Sequence, residues 1–215
     1  MLPAFRRVTT QGFSAAAMRT YHVAMESVAD DLADKWMDAQ TGISVHDDMT
    51  AATLEVIGRA GFSEHMGLLG PKSVGDRDTA RFLSALSRTL EWASTSTNDL
   101  PIIGGLREAL TSQQRRRDID FARSYIDSIV EARASSSSER ADDLLSLMLG
   151  TTDPETGKQL PRDNIRDQVL TFLVAGHETT AALMEVALFY LATQPEVSDL
   201  TAAGSIPSTT STLTG

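Results

Sequence analysis

The stretch VLTFLVAGHETTAALMEVALFYL, Val169 to Leu191, constrains this chain more than any other. It is too long for an ordinary strand, which runs about 3–10 residues. Its apolar positions continue in one helical register from VLTFLV into AALMEVALFYL. Pro195 stops the pattern, so the spacing predicts a helix from about Asp163 to Thr193. The puzzle is its centre, where Gly176, His177, Glu178, Thr179 and Thr180 interrupt the apolar run.

A membrane span is one way to use such a helix, since about 20 apolar residues suffice. His177, Glu178 and Glu185 oppose it, because an acidic residue near a bilayer centre costs about 2.5–3.5 kcal/mol. His177-Glu178 also begins like the zinc motif H-E-x-x-H, but position 181 is Ala181. The other histidines are far off, at 22, 46 and 65, so no metal site is expected.

A third use is a helix facing a flat cofactor and oxygen. Ala175 and Thr179 are four residues apart and share a face. Ala175 and Gly176 are small enough for a planar ligand to approach the backbone. The Thr179 hydroxyl can donate to the Ala175 carbonyl, which is expected to open the helix and admit water. Such a hydroxyl can give a proton to a bound oxygen species, and Glu178 can relay protons from solvent. A fourth use is plainer: small residues and threonines let two helices pack closely. The residues alone leave both of the last two readings standing.

The rest of the chain is helical in pattern. Met18, Tyr21, Met25, Val28, Leu32 and Trp36 form one stripe. Met49, Thr53, Val56, Ile57 and Ala60 form a second, after the acidic start Asp47-Asp48. Leu83, Leu86 and Leu90 form a third, and Ile119, Ala122, Ile126, Ile129 and Val130 a fourth. A short helix is predicted over 141–149, ending at Gly150. HMGLLGPKSVG (65–75), DLPIIGG (99–105), SSSS (135–138) and TTDPETGKQLP (151–161) read as loops and turns. No alternating run makes a convincing strand. The tail 198–215, rich in Ser, Thr, Gly and Ala, reads as disordered or non-native. With 215 residues, one domain with a core is expected.

Charge and composition exclude some functions. The net charge of −10 opposes nucleic-acid binding, which needs a basic surface. There is no cysteine, so the chain itself holds no disulfide, thiolate ligand or cysteine nucleophile. MLPAFRRVTTQG lacks an apolar core for a signal peptide, which makes a cytoplasmic location the expectation.

The six residues Ala175 to Thr180, AGHETT, resemble the oxygen-activation motif A/G-G-x-D/E-T-T/S on the long central helix of cytochrome P450. Asp142 to Thr180, DDLLSLMLGTTDPETGKQLPRDNIRDQVLTFLVAGHETT, resembles the bacterial fatty-acid hydroxylase type, and so do SAAAMRTYH (14–22) and HDDMTAATLEVIGRAGF (46–62). The likeness runs from about Ser14 to Val197. It implies a mostly α fold, a helical bundle around one long central helix with little or no sheet in this part. It implies a b-type haem and monooxygenation of a small apolar substrate with O2. Electrons would come from a flavin/NADPH reductase or a ferredoxin. By position, the resemblance makes Thr179 the hydrogen-bonding partner of bound oxygen and Glu178 part of the proton relay. Ala175 and Gly176 line the haem and oxygen pocket, and Phe172 lies near haem and substrate. His177 gets no role.

The family's axial ligand is a cysteine thiolate, which this chain lacks, as it lacks the E-x-x-R pair. The stretch RRVTTQGF has no counterpart in the resemblance. Residues 1–197 therefore read as a partial haem domain, inactive alone and without stable haem binding. A helical interaction protein without haem is the alternative. Thr179 is expected to face a covered site. Leu173, Leu183, Leu188 and Phe189 are expected to be partly uncovered, giving a loose, self-associating assembly.

Overall fold

The computed structural model describes residues 2–40, 42–70, 77–96, 101–135 and 142–202. Among them are eight α-helices: α1 (Leu2–Thr9), α2 (Ala15–Met37), α3 (Val45–Val56), α4 (Arg77–Ser96), α5 (Pro101–Ser135), α6 (Leu144–Gly150), α7 (Arg162–Thr193) and α8 (Pro195–Ala202). The described residues hold no strand, and an isolated antiparallel bridge joins Thr152 to Gln159. The expected helical bundle around one long helix is the observed architecture.

Three helix starts are fixed by a side-chain cap. Ser14 caps α2 by accepting from the Ala17 amide, and Ser44 caps α3 by accepting from the Asp47 amide. Asp143 caps α6 through the Ser146 amide at 2.7 Å, so that helix begins three residues later than 141. The apolar stripe of α3 runs on into a π turn, Ile57–Gly61. There Gly58 is required, because a Cβ would sit 2.9 Å from the Glu64 carbonyl as the chain folds back.

Four expectations need correction. Positions 101–105 are the start of α5, not a loop. Helix α8 extends order through Ala202, into the stretch read as a disordered tail; residues 203–215 lie outside the described ones. Met18 and Met25 are 39% and 46% exposed, so the buried stripe of α2 is only Tyr21, Val28 and Leu32. RRVTTQGF is an integral part of the bundle. Val8 is buried in the core, and Arg7 donates from Nε and Nη2 to both oxygens of the buried Asp153 carboxylate at 2.8 and 2.9 Å. Leu90 and residues 136–141 concern side chains or backbone outside the described residues.

The larger core gathers Phe62, Phe82, Ile126, Leu145, Met148, Ile165, Val169 and Leu173 from α3 through α7. The smaller one sits between α2, α3 and α7 and contains Val28, Leu32, Met49, Ala52 and Ala181. Buried charges are paired, as burial demands. Asp48 accepts from Lys35 Nζ and Trp36 Nε1, tying α2 to α3. The fully buried Glu55 accepts from Arg59 Nε and the Leu68 amide. Arg133 binds Asp143, Ser146 and the Phe62 carbonyl, joining α5, α6 and the end of the π turn.

Asp153 gives a pH prediction. Hydrogen bonds from Arg7, Thr156 and the Glu155 amide hold its carboxyl well below the usual aspartate range. A depressed folded value means the pair stabilises the chain fully above the unfolded value of about 4. That contribution is lost as pH falls through the lower folded value. Chemical denaturation at a series of acidic pH values is expected to show this acid limb, and Asp153→Asn to flatten it while lowering stability at pH 7.

Candidate functional site on the central helix

The rotation of α7 decides what its motif can touch. Ile165, Val169, Leu173, His177 and Ala181 step by four and form the buried stripe, facing α3, α5 and α6. The side opposite this stripe carries Ala175, Glu178, Thr179 and Ala182, all exposed. Farther along, Leu183, Val186, Phe189 and Tyr190 are 69%, 53%, 62% and 48% exposed, an apolar continuation of that side. Leu173, expected to lose cover, is instead fully buried, because α7 turns it into the larger core. Leu188 is partly buried against the smaller core.

The Thr179 hydroxyl donates to the Ala175 carbonyl at 2.9 Å, the bond anticipated from their spacing. The helix does not open there: α7 is α-helical from Arg162 to Thr193 without interruption. Back-bonding of this kind bends or weakens a helix only slightly, and the dense packing of the opposite side holds the turn closed. Thr179 also faces solvent rather than a covered site, because no described element of this chain crosses that side of α7. Glu178 has no hydrogen bond or ion pair among the described residues, and its side chain is free to exchange protons with solvent.

Gly176 and Phe172 also make contacts within the chain. A Cβ on Gly176 would lie 2.8 Å from Ile57 Cδ1, so glycine here allows the π turn to approach α7. Phe172 packs between Phe5 and Phe13, with ring centroids 6.0 and 6.1 Å away. Of the five implied site residues, Ala175, Glu178 and Thr179 share one open side. Gly176 and Phe172 make contacts within the chain.

His177 is buried and bonds through Nδ1 to the Leu173 carbonyl, which assigns the proton to that nitrogen. Its own carbonyl accepts from the buried Thr53 hydroxyl of α3 at 3.1 Å. Sequence reasoning placed Thr53 on the apolar stripe of α3 but gave it no partner. A hydroxyl on a buried stripe needs an acceptor, and that was the available signal.

These residues bear on haem as follows. The open side carries the short side chains of Ala175 and Thr179 and is flanked by exposed apolar groups, which suits one wall of a planar ligand. The donor set does not supply the other requirement. The sequence has no cysteine and so no thiolate, and the histidine of α7, His177, points into the buried stripe and away from the open side. The chain thus fits the oxygen side of a haem site and not its iron-ligand side.

Comparisons agree on the family. The family model described as cytochrome P450 matches residues 4–200, which takes in RRVTTQGF and runs past Val197. A bifunctional cytochrome P450/NADPH–P450 reductase of Bacillus cereus is 37% identical over 187 residues, 86% of this chain and 17% of that protein. A Bacillus subtilis protein of the same description is 37% identical over 196 residues, 88% of this chain and 18% of its own length. The crystal structure of a cytochrome P450DA heme domain superposes with a TM-score of 0.78 at 34% identity, covering 89% of this chain and 40% of that one. The chain therefore spans less than a fifth of the length of these curated relatives. A motif on an open helix side, a matching bundle and a family model along nearly the whole sequence converge: the chain belongs to the cytochrome P450 family.

Proposed function

We propose that this chain forms the oxygen-side wall of a haem monooxygenase, with Thr179 and Glu178 serving proton delivery. The observation that carries the reading is the open side of α7, where Ala175 leaves room for a flat group and Thr179 presents a hydroxyl beside it. When bound, haem with a thiolate ligand supplies O2 activation. The residues of this chain orient and donate protons. Thr179 holds a proton at Oγ1 and can redirect it from the Ala175 carbonyl to an acceptor above the helix. Glu178, one residue before it and solvent-facing, can return that proton from bulk water. The ligating cysteine has to come from residues outside this sequence, so the chain alone is inactive.

The substrate class we assign is a small apolar molecule such as a fatty acid, following the likeness of residues 142–180 to the bacterial hydroxylase type. The electron donor is a flavin/NADPH reductase, as in the bifunctional relatives whose names carry one. Helix α7 is long and apolar enough to cross a membrane. We read it as a core helix of a cytoplasmic protein, because Ile165, Val169, Leu173 and Ala181 pack against other helices and Glu178 and Glu185 lie within the span.

The test joins residues 1–197 to the remaining P450 and reductase segments of the Bacillus subtilis relative. NADPH- and O2-dependent hydroxylation of a fatty acid is expected from the joined protein and none from the chain alone. A joined protein that folds, binds haem and never oxidises any apolar substrate would remove the reading.

A further inference from the structure

Three successive odd-numbered carbonyls of α7 carry an extra donor. Leu173 O takes His177 Nδ1, Ala175 O takes the Thr179 hydroxyl, and His177 O takes the Thr53 hydroxyl. The first two bonds stay within α7. The third comes from α3 and is the one that can report where α7 stands relative to its neighbour. Thr53 is buried, and its hydroxyl also lies 2.9 Å from the Met49 carbonyl and 3.1 Å from the Thr50 carbonyl. One hydroxyl has one proton, so the three carbonyls share a single donor.

One turn further along α3, Ile57 fills the space left by Gly176. Ala181 packs with Met49 and Ala52 on the same interface, and His46 at the start of α3 meets Glu185 at 2.9 Å. Ala181 and His177 lie on the buried side of α7, while Gly176, three residues before Thr179, sits at the edge between that side and the open one. Apolar contacts among small residues permit sliding, whereas a hydrogen bond to a particular carbonyl does not. Turning α7 by one residue, about 100°, would carry His177 O away from Thr53 and drive a side chain into Ile57.

We infer that Thr53 is a positioning residue: its hydrogen bond to the His177 carbonyl, with Ile57 seated on Gly176, fixes the rotation of α7 and keeps Thr179 and Glu178 on the open side. This rests on the proposed role of Thr179, but its test reads geometry without turnover. The chain has no cysteine, so Thr179→Cys and Arg123→Cys give two unique nitroxide sites, on α7 and on the exposed side of α5. The measurement is the distance distribution between them by pulsed electron resonance on the full chain.

Thr53→Val keeps shape and removes the hydroxyl. It is expected to raise the population of displaced distances severalfold, with about fivefold, the factor of one ordinary hydrogen bond, as the ceiling because the proton is shared. Thr53→Ser restores the hydroxyl and is expected to restore the distribution. Gly176→Ala presses on Ile57 from the other partner of the contact and is expected to displace the same label, which covers the case in which Thr53→Val loses its helical signal. A Thr53→Val chain that melts earlier with an unchanged distribution would make Thr53 a stabiliser only and overturn the inference, as would Gly176→Ala with no displacement. A joined protein whose turnover ignores Thr179→Ala would instead remove the role of Thr179 and leave the distance result standing.

Discussion

Leu173→Ala is expected to remove much of the stability of this chain. Leu173 is fully buried, in the larger core with Ile165 and Val169 of the same helix. Truncating a buried leucine costs about 2–5 kcal/mol, the transfer term plus the cavity left behind. Domains are held by about 5–15 kcal/mol in all, so this one change takes a large share. Leu183 is the matched control, ten residues along the same helix and 69% exposed. Its replacement by alanine is expected to fall within about 0.5 kcal/mol of wild type, as surface changes do. Urea denaturation followed by helical circular dichroism measures both. Equal losses at the two positions would mean that α7 is not rotated as described.

Thr179→Ala is expected to do the reverse, leaving stability alone and damaging function. Thr179 is exposed, and its hydroxyl bonds only the Ala175 carbonyl of its own helix. Losing that bond costs the fold little, because the Ala175 carbonyl keeps its helical partner and water. In the joined protein the hydroxyl is the proposed proton donor. Positioned proton donors contribute about 10²–10⁴-fold to rate, so product formed per NADPH consumed is expected to fall by about 10²-fold or more. Thr179→Ser retains a hydroxyl and is expected to keep most of the activity. Thr180→Ala, one position around the helix, is expected to keep it too. Loss of activity accompanied by an equal drop in melting temperature would point to a packing role for Thr179.

The long helix was legible because a continuous apolar register has few alternatives. Its rotation was not. Spacing put Ala175 and Thr179 on one face, and Gly176 joined them by its small size and by the resemblance. Ile57 meets the space at Gly176, and Ala175 and Thr179 lie beside it on the open side. Phe172 was assigned beside the cofactor, yet Phe5 and Phe13 hold it, a contact across more than 150 residues that no local pattern encodes. The Thr179–Ala175 bond was legible because it is a contact within one helix turn. The expected opening of the helix was not realised, since that depends on what packs behind it. Asp48 and Asp153 are buried anchors whose partners, Lys35 and Arg7, lie in other elements, so no local pattern marks them.

The exposure of Thr179 separates a complete site from half of one. The resemblance implied a covered Thr179, and among the described residues Thr179 is exposed instead. The family match explains the difference in physical terms, because this chain corresponds to 40% of the related haem-domain structure. Under the proposed reading, the covering wall and a thiolate ligand are not supplied by these 215 residues, which hold no cysteine. The central claim is that the open side of α7 is half of a haem-thiolate site. Its most direct measurement is the carbon-monoxide difference spectrum of the reduced, haem-supplied protein. No thiolate-type band is expected from the 215-residue chain, and a full band is expected once the cysteine-bearing segment of the relative is joined after Val197. A thiolate-type band from the chain alone, or a well-folded joined protein that never takes up haem, would contradict the claim.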